Sequence, residues 1–156
     1  MRRLLACLLL LAAAAAQADD GPRPFVRGSM QQILQAHRGQ PFILGLWSIS
    51  CSPCRDELAV LGRVMARHRK LALVLVAADA PGDGPALAKV LRGYRLQRAE
   101  SWVFAESFTE RLRYEIDREW YGELPRSYFF DAQGNAQALS GRLDAAVLEQ
   151  WVRQHE

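Results

Sequence analysis

Two cysteines separated by two residues, Cys51-Ser52-Pro53-Cys54, are the part of this 156-residue chain best equipped for chemistry. Thiols at that spacing can close a disulfide, exchange it with another, or hold a soft metal ion. Before them, Phe42 to Ile49 is a continuous apolar run, interrupted only by Gly45 and Ser48, which suits a strand buried on both faces. After them, Cys54, Leu58, Leu61, Met65 and His68 recur at steps of three and four, one face of a helix. Cys51 is therefore expected where a buried strand meets a helix N-terminus. Unpaired amides and the helix dipole stabilise a thiolate there. Cys54, one turn on and on the same side, can attack a mixed disulfide formed at Cys51 and release the partner. Pro53 fixes φ within the first turn and removes one amide donor.

Other uses of the pair carry less support. A zinc site wants four ligands, yet no second cysteine pair or paired histidine motif exists, and His37, His68 and His155 fall in separate segments. A structural disulfide over so short a loop would constrain little of the unfolded chain. Two further alternatives stay open: a Cu(I) carrier using both thiolates, and a redox-inactive scaffold that binds peptides. No metal ligands and no cofactor are assigned. Leu124-Pro125 is the second local signal. A cis bond there would be a specific choice, and it would bring the Leu124 backbone beside the sulfurs.

The first eighteen residues belong to another regime. Arg2 and Arg3 precede an apolar run from Leu4 to Ala16, and Ala16-Gln17-Ala18 offers small residues for cleavage before Asp19. That pattern reads as a removed signal peptide; the run is well short of the roughly twenty residues that span a bilayer. Cys7 is read as filler of that discarded segment, leaving two cysteines in an oxidising compartment. Export to the periplasm or beyond is the expectation. Without Arg2 and Arg3 the formal charge of +3 falls to about +1, so no electrostatic footprint for nucleic acid remains.

The rest divides into elements of one domain. Residues 19–28, with Pro22 and Pro24, read as a flexible lead-in. Ser29 is expected to cap a helix from Met30 to Arg38, ended by Gly39. Leu71 to Ala78 is a second buried strand, so strand, helix and strand form a βαβ unit with a right-handed crossover. A loop from Asp79 to Gly84 leads to a helix from Pro85 to about Arg95. Ser101 to Ala105 reads as a strand and Ser107 to Asp117 as a helix. Ser127 to Asp131 and Ala136 to Ser140 form a hairpin, and an amphipathic helix carrying Leu143, Val147, Leu148, Trp151 and Val152 closes the chain. The fold class is α/β: a mixed central sheet flanked by helices, with an extra α/β piece between a βαβ half and a ββα half.

The stretch Leu46-Trp47-Ser48-Ile49-Ser50-Cys51-Ser52-Pro53-Cys54-Arg55-Asp56-Glu57 resembles the active-site segment of thioredoxin-like proteins of the TlpA, ResA and DsbE group. Glu123-Leu124-Pro125-Arg126-Ser127-Tyr128-Phe129-Phe130-Asp131-Ala132-Gln133-Gly134 resembles their cis-proline strand and hairpin. The resemblance covers essentially all of residues 19–156 and implies a thioredoxin-like fold with a central αβ insertion. It implies that Cys51 is the attacking thiolate, Cys54 the resolving thiol in a Cys51–Cys54 disulfide, and Pro125 the cis-proline of a substrate groove. Glu57 stands where the group often keeps an acidic residue that tunes the thiols; a helix glutamate stabilised by the dipole is the competing reading. Leu124 and Trp47, within those two motifs, are the expected substrate contacts.

The departures from the group's pattern are Gly45 at a position often Asp or Asn, Ser50 in place of an aromatic, and Leu58 in place of a proline. With Gly45 unable to relay a proton, Glu57 or a water would have to do so for Cys54. The resemblance implies an exported thiol–disulfide reductase, kept reduced by a membrane electron donor and acting on protein disulfides such as those of apocytochromes or copper-site proteins. A disulfide donor would use the same residues. Arg126, Trp102, Trp120 and Tyr121 either line the groove or, as such residues more often do, belong to the core or a solvated rim; they are left outside the assigned site.

Overall fold

In the computed structural model, which describes residues 21–155, the two long apolar runs lie side by side as parallel strands. The expected signal segment, Cys7 and the first two lead-in residues lie outside the described residues. In chain order the elements are β1 (Arg23–Phe25), α1 (Ser29–Ala36), β2 (Phe42–Trp47), α2 (Ser52–Arg67) and β3 (Ala72–Ala77). A 3-10 turn (Pro81–Asp83), α3 (Gly84–Gly93), β4 (Glu100–Phe104) and α4 (Thr109–Ile116) follow. The chain then runs through β5 (Arg126–Phe130), β6 (Ala136–Ser140) and α5 (Ala145–His155). No helix among the described residues is long and apolar enough to cross a membrane.

The sheet order is β1-β4-β3-β2-β5-β6. The first four strands are mutually parallel, while β5 runs antiparallel to β2 and to β6. The unbroken apolarity of β2 resolves by alternation. Ile43 and Trp47 face a core completed by Leu58, Leu61 and Met65 of α2, Leu87 of α3 and Leu148 of α5. Phe42, Leu44 and Leu46 face the opposite core, with Ile33 of α1, Leu112 of α4 and the rings of Phe104, Trp120 and Phe130. Both faces are covered, so both sets of side chains must be apolar. Phe42 and Phe130, opposite each other in register, stack with ring centroids 4.4 Å apart.

The lead-in expectation is corrected at residues 23–25. Arg23 to Phe25 form a parallel edge strand whose register sets Phe25 opposite Phe104. Fully buried Phe25 packs against Trp102 and Phe104, and Arg23 pairs with Glu100 of β4. Pro24 is compatible with this because an edge strand has one side without partners. The start of α1 also differs from expectation. Gly28, at φ +89°, takes the N-cap position, and Ser29 accepts the Val26 N–H instead. The Gly28 and Met30 amides donate to Glu115 of α4. A carboxylate from a distant helix thus satisfies amides that a local side chain would otherwise have to serve.

The helix that begins with the cysteine motif is tied at its other end. Arg67 donates to Glu149 of α5, and His68 Nε2 lies 2.8 Å from the same carboxylate. Gly62, midway along α2, is required by close approach: an added Cβ would fall well inside van der Waals contact with the Tyr94 carbonyl oxygen. Gly62→Ala is expected to lower stability by about 1–3 kcal/mol, the usual cost of overpacking against backbone. A denaturant titration showing no shift in the midpoint would contradict this.

Candidate active site

Three chain segments meet at the ends of β2 and β3. Because these strands are parallel, the segments leaving them emerge at the same sheet edge. Residues 48–51 leave β2 there and Asp79 leaves β3. Pro125 enters β5 at that edge too, since Leu46 pairs with Arg126 in the antiparallel register and the next positions outward are Trp47 and Pro125.

Cys51 is the N-cap residue of α2, and its Sγ accepts the Cys54 N–H at 3.2 Å. The sulfurs are joined, with Cα atoms 5.3 Å apart. Ser52 opens the helix and Pro53 follows within its first turn, where a missing N–H costs nothing. Cys54 is 1% exposed and packs with Leu58 and Leu61, whereas Cys51 is half-buried. Of the two sulfurs, Cys51 is the one a partner can reach. The helix N-terminus lies at Cys51, the more exposed of the two.

Asp79 holds the segment leading to Cys51. Its carboxylate accepts the Ser48 hydroxyl at 2.9 Å and the Ile49 N–H at 3.2 Å. Ser48 Oγ in turn accepts the Ser50 N–H, and Arg55 reaches back from α2 to donate to the Ile49 carbonyl. The sequence places Asp79 in a loop. The available signal was its position just after an apolar run parallel to the one that carries the cysteines.

The Leu124–Pro125 peptide is cis, and Pro125 is buried. Half-buried Leu124 touches both cores. Arg126, left outside the expected site, fastens this turn. Its guanidinium donates to Asp117 at 2.7 Å, Glu123 at 2.8 Å, Ser140 at 2.7 Å and the Tyr128 hydroxyl at 2.7 Å. Burial works against ionisation of Asp117, but hydrogen bonds from the Glu119 amide, Arg126 and Tyr128 hold its carboxyl below the usual range. The four partners come from three separate segments, so their convergence has no local sequence signature.

Glu57 lies on the same face of α2 as Cys54, one turn further in. It is 3% exposed, accepting the Ser127 hydroxyl at 2.8 Å and the Leu143 N–H at 3.3 Å. Burial pushes its carboxyl up to about 7 despite both hydrogen bonds. That is the geometry of a buried titratable group behind the cysteine pair. A surface glutamate stabilised by the dipole would not be so enclosed. Ser127, fully buried in β5 between Arg126 and Tyr128, is the partner that has no signal in the sequence. It pairs in register with Gly45, whose added Cβ would come within 3.0 Å of a Leu75 methyl.

Trp47 corrects an expectation. At 3% exposed it packs inside the core, and its indole N–H has no partner among the described residues. Burial at the end of β2 leaves it supporting the cysteine segment from beneath, with no surface for a substrate. The histidines lie elsewhere: His37 bonds to Glu100, His68 to Glu149, and His155 stacks on Trp151.

No protein-family model matches the chain, and no curated protein matches it. Solved structures do. DsbF of Mycobacterium tuberculosis is 24% identical, with a TM-score of 0.60 over 78% of this chain and 85% of that one. A secreted disulfide oxidoreductase of the same organism, homologous to Escherichia coli DsbE, is 20% identical, with a TM-score of 0.61 over 77% and 85%. A thiol:disulfide interchange protein of the thioredoxin family from Chlorobium tepidum is 21% identical, with a TM-score of 0.59 over 78% and 83%. The chain thus has the thioredoxin-like α/β fold that its two motifs imply.

The raised Glu57 carboxyl makes stability depend on pH with a definite sign. Between the usual value near 4.5 and the folded value near 7, the native state holds a proton that the unfolded state has lost. Stability therefore declines as pH rises through that window and levels off above it, by about 3 kcal/mol in all. Glu57→Gln should flatten this decline and be the more stable protein at pH 8. Parallel slopes for the two proteins from pH 4.5 to 8 in denaturant titrations would refute the assignment.

Proposed function

We propose that this protein is an exported thiol–disulfide oxidoreductase that reduces disulfides in partner proteins. The observation that carries this is the pairing of a reachable Cys51 sulfur at a helix N-terminus with a buried Cys54 sulfur bonded to it. The structural relatives are described as disulfide oxidoreductases or interchange proteins, and that description supports the same chemistry here. The apolar run from Leu4 to Ala16 behind Arg2 and Arg3 supports export.

In the reducing direction the Cys51 thiolate attacks one sulfur of the substrate disulfide. A Cys51–substrate bond forms, and the other substrate sulfur leaves as a thiolate that takes a proton. Cys54 then loses its proton and attacks Cys51 Sγ. The Cys51–Cys54 disulfide closes, and the second substrate sulfur departs as a thiol after protonation. Two electrons pass from the protein dithiol to the substrate. Glu57, titrating near neutrality beside Cys54, is suited to take the Cys54 proton. Leu124 precedes the cis Pro125, and neither its N–H nor its carbonyl has a partner among the described residues, which leaves that backbone free to pair with a substrate chain. A dithiol donor held at the membrane would restore the reduced form. Oxidised cysteines of apocytochromes or of copper-site proteins are the proposed substrates.

Turnover of a protein disulfide with dithiothreitol as reductant tests the reading. Cys51→Ser should abolish it, and Cys54→Ser should accumulate a mixed disulfide visible on a non-reducing gel. Full activity in Cys51→Ser would end the proposal. The reduction potential tests direction: a value near about −270 mV supports a reductase, whereas one near about −120 mV would make the protein a disulfide donor.

A further inference from the structure

Residues 117–123 join α4 to the Pro125 turn, and they are held at both ends by one side chain. Arg126 donates to Asp117 at the start of the segment and to Glu123 at its end. Between them Trp120 is driven into the core, where its indole N–H donates to the Glu123 carbonyl at 2.9 Å. The Glu119 and Trp120 amides close back on Asp117. Gly122, at φ +96°, lies against the Arg113 side chain and turns the chain where other residues would be strained. A segment with this many internal ties does not need to reorganise in order to bind.

At its centre stands Tyr121, 90% exposed, far more than the other exposed large apolar side chains. Neighbouring Trp120 takes the core position, and Tyr121 is left facing solvent. Only three residues separate it from Pro125, at the sheet edge that also carries Cys51. Charges beside it are of both signs, Arg118 and Glu119 on one side and Glu123 on the other. What it offers a visitor is an aromatic surface on a fixed support.

We propose that Tyr121 is a specificity-determining residue, contacting an apolar side chain on the polypeptide that flanks the substrate's disulfide. This deepens the oxidoreductase reading and rests on it. A partner disulfide that reaches half-buried Cys51 brings its flanking chain across this edge, continuous with the Leu124 backbone. A tyrosine on a rigid segment adds contact area while immobilising only two torsions. A small disulfide, having no flanking chain, makes no such contact.

The full chain would be assayed with dithiothreitol on two substrates, insulin and hydroxyethyl disulfide. In Tyr121→Ala the ratio of kcat/KM for insulin to that for hydroxyethyl disulfide should fall about five- to tenfold, chiefly through KM for insulin. Tyr121→Phe should restore most of the ratio, because the ring and not the hydroxyl makes the contact. A ratio in Tyr121→Ala equal to that of the wild type overturns the inference and leaves the cysteine chemistry standing. A wild type inert toward both insulin and hydroxyethyl disulfide overturns the oxidoreductase reading, and this inference with it. Loss of a wild-type dimer in Tyr121→Ala, seen by sedimentation, would reassign the surface to self-association and equally overturn it.

Discussion

The seating of one sulfur at the first residue of α2 is the constraint around which the rest of the molecule is arranged. A helix N-terminus is useful to a thiolate only if it stays put, and α2 stays put because one long face of it is buried. Cys54, Leu58, Leu61 and Met65 pack on β2 and β3, while Arg67 and His68 bind the last turn to Glu149 of α5. Cys54 belongs to this stripe as well as to the cysteine pair. The packing that holds the helix therefore also hides the second sulfur and leaves the first accessible.

Polar groups then hold the segments that the hydrophobic core cannot. Asp79 secures the residues before Cys51, and Arg126 secures the turn at Pro125. These carboxylate and guanidinium groups are multiply hydrogen-bonded, as charged groups with little exposure must be. Glu57 is the exception in kind. Among the described residues it has two hydrogen-bond partners and no cation, so desolvation dominates and its proton is held to about neutrality. A protein that needed only a stable core would have an apolar residue there. The protonatable group behind Cys54 makes sense as part of the thiol chemistry proposed for the pair.

The elements were legible from the sequence to the extent that they depend on local periodicity. The steps of Cys54, Leu58, Leu61 and Met65 mark α2, and the two continuous apolar runs mark β2 and β3, because burial on both faces leaves no polar position. The hairpin of β5 and β6 follows from its turn residues. Three residues of β1 were not legible, since nothing local distinguishes a strand held by its contacts with β4 from an irregular lead-in. Trp47 was misplaced for a related reason. An aromatic beside a reactive motif can face the core or a substrate, and its direction is set by the pleat and by what covers that face of the sheet.

The sequence by itself determined the chemistry available: two thiols one helical turn apart, a proline fitted to that turn, and a glutamate three positions beyond. These are properties of neighbours along the chain, where spacing alone settles which side of a helix each residue occupies. Only the tertiary structure decided which groups surround that chemistry. Asp79 against Ser48, Ser127 against Glu57, and Asp117 and Ser140 against Arg126 are pairings between segments brought together by strand order and register. Such contacts arise from the packing of the whole chain, and so no window of sequence contains them.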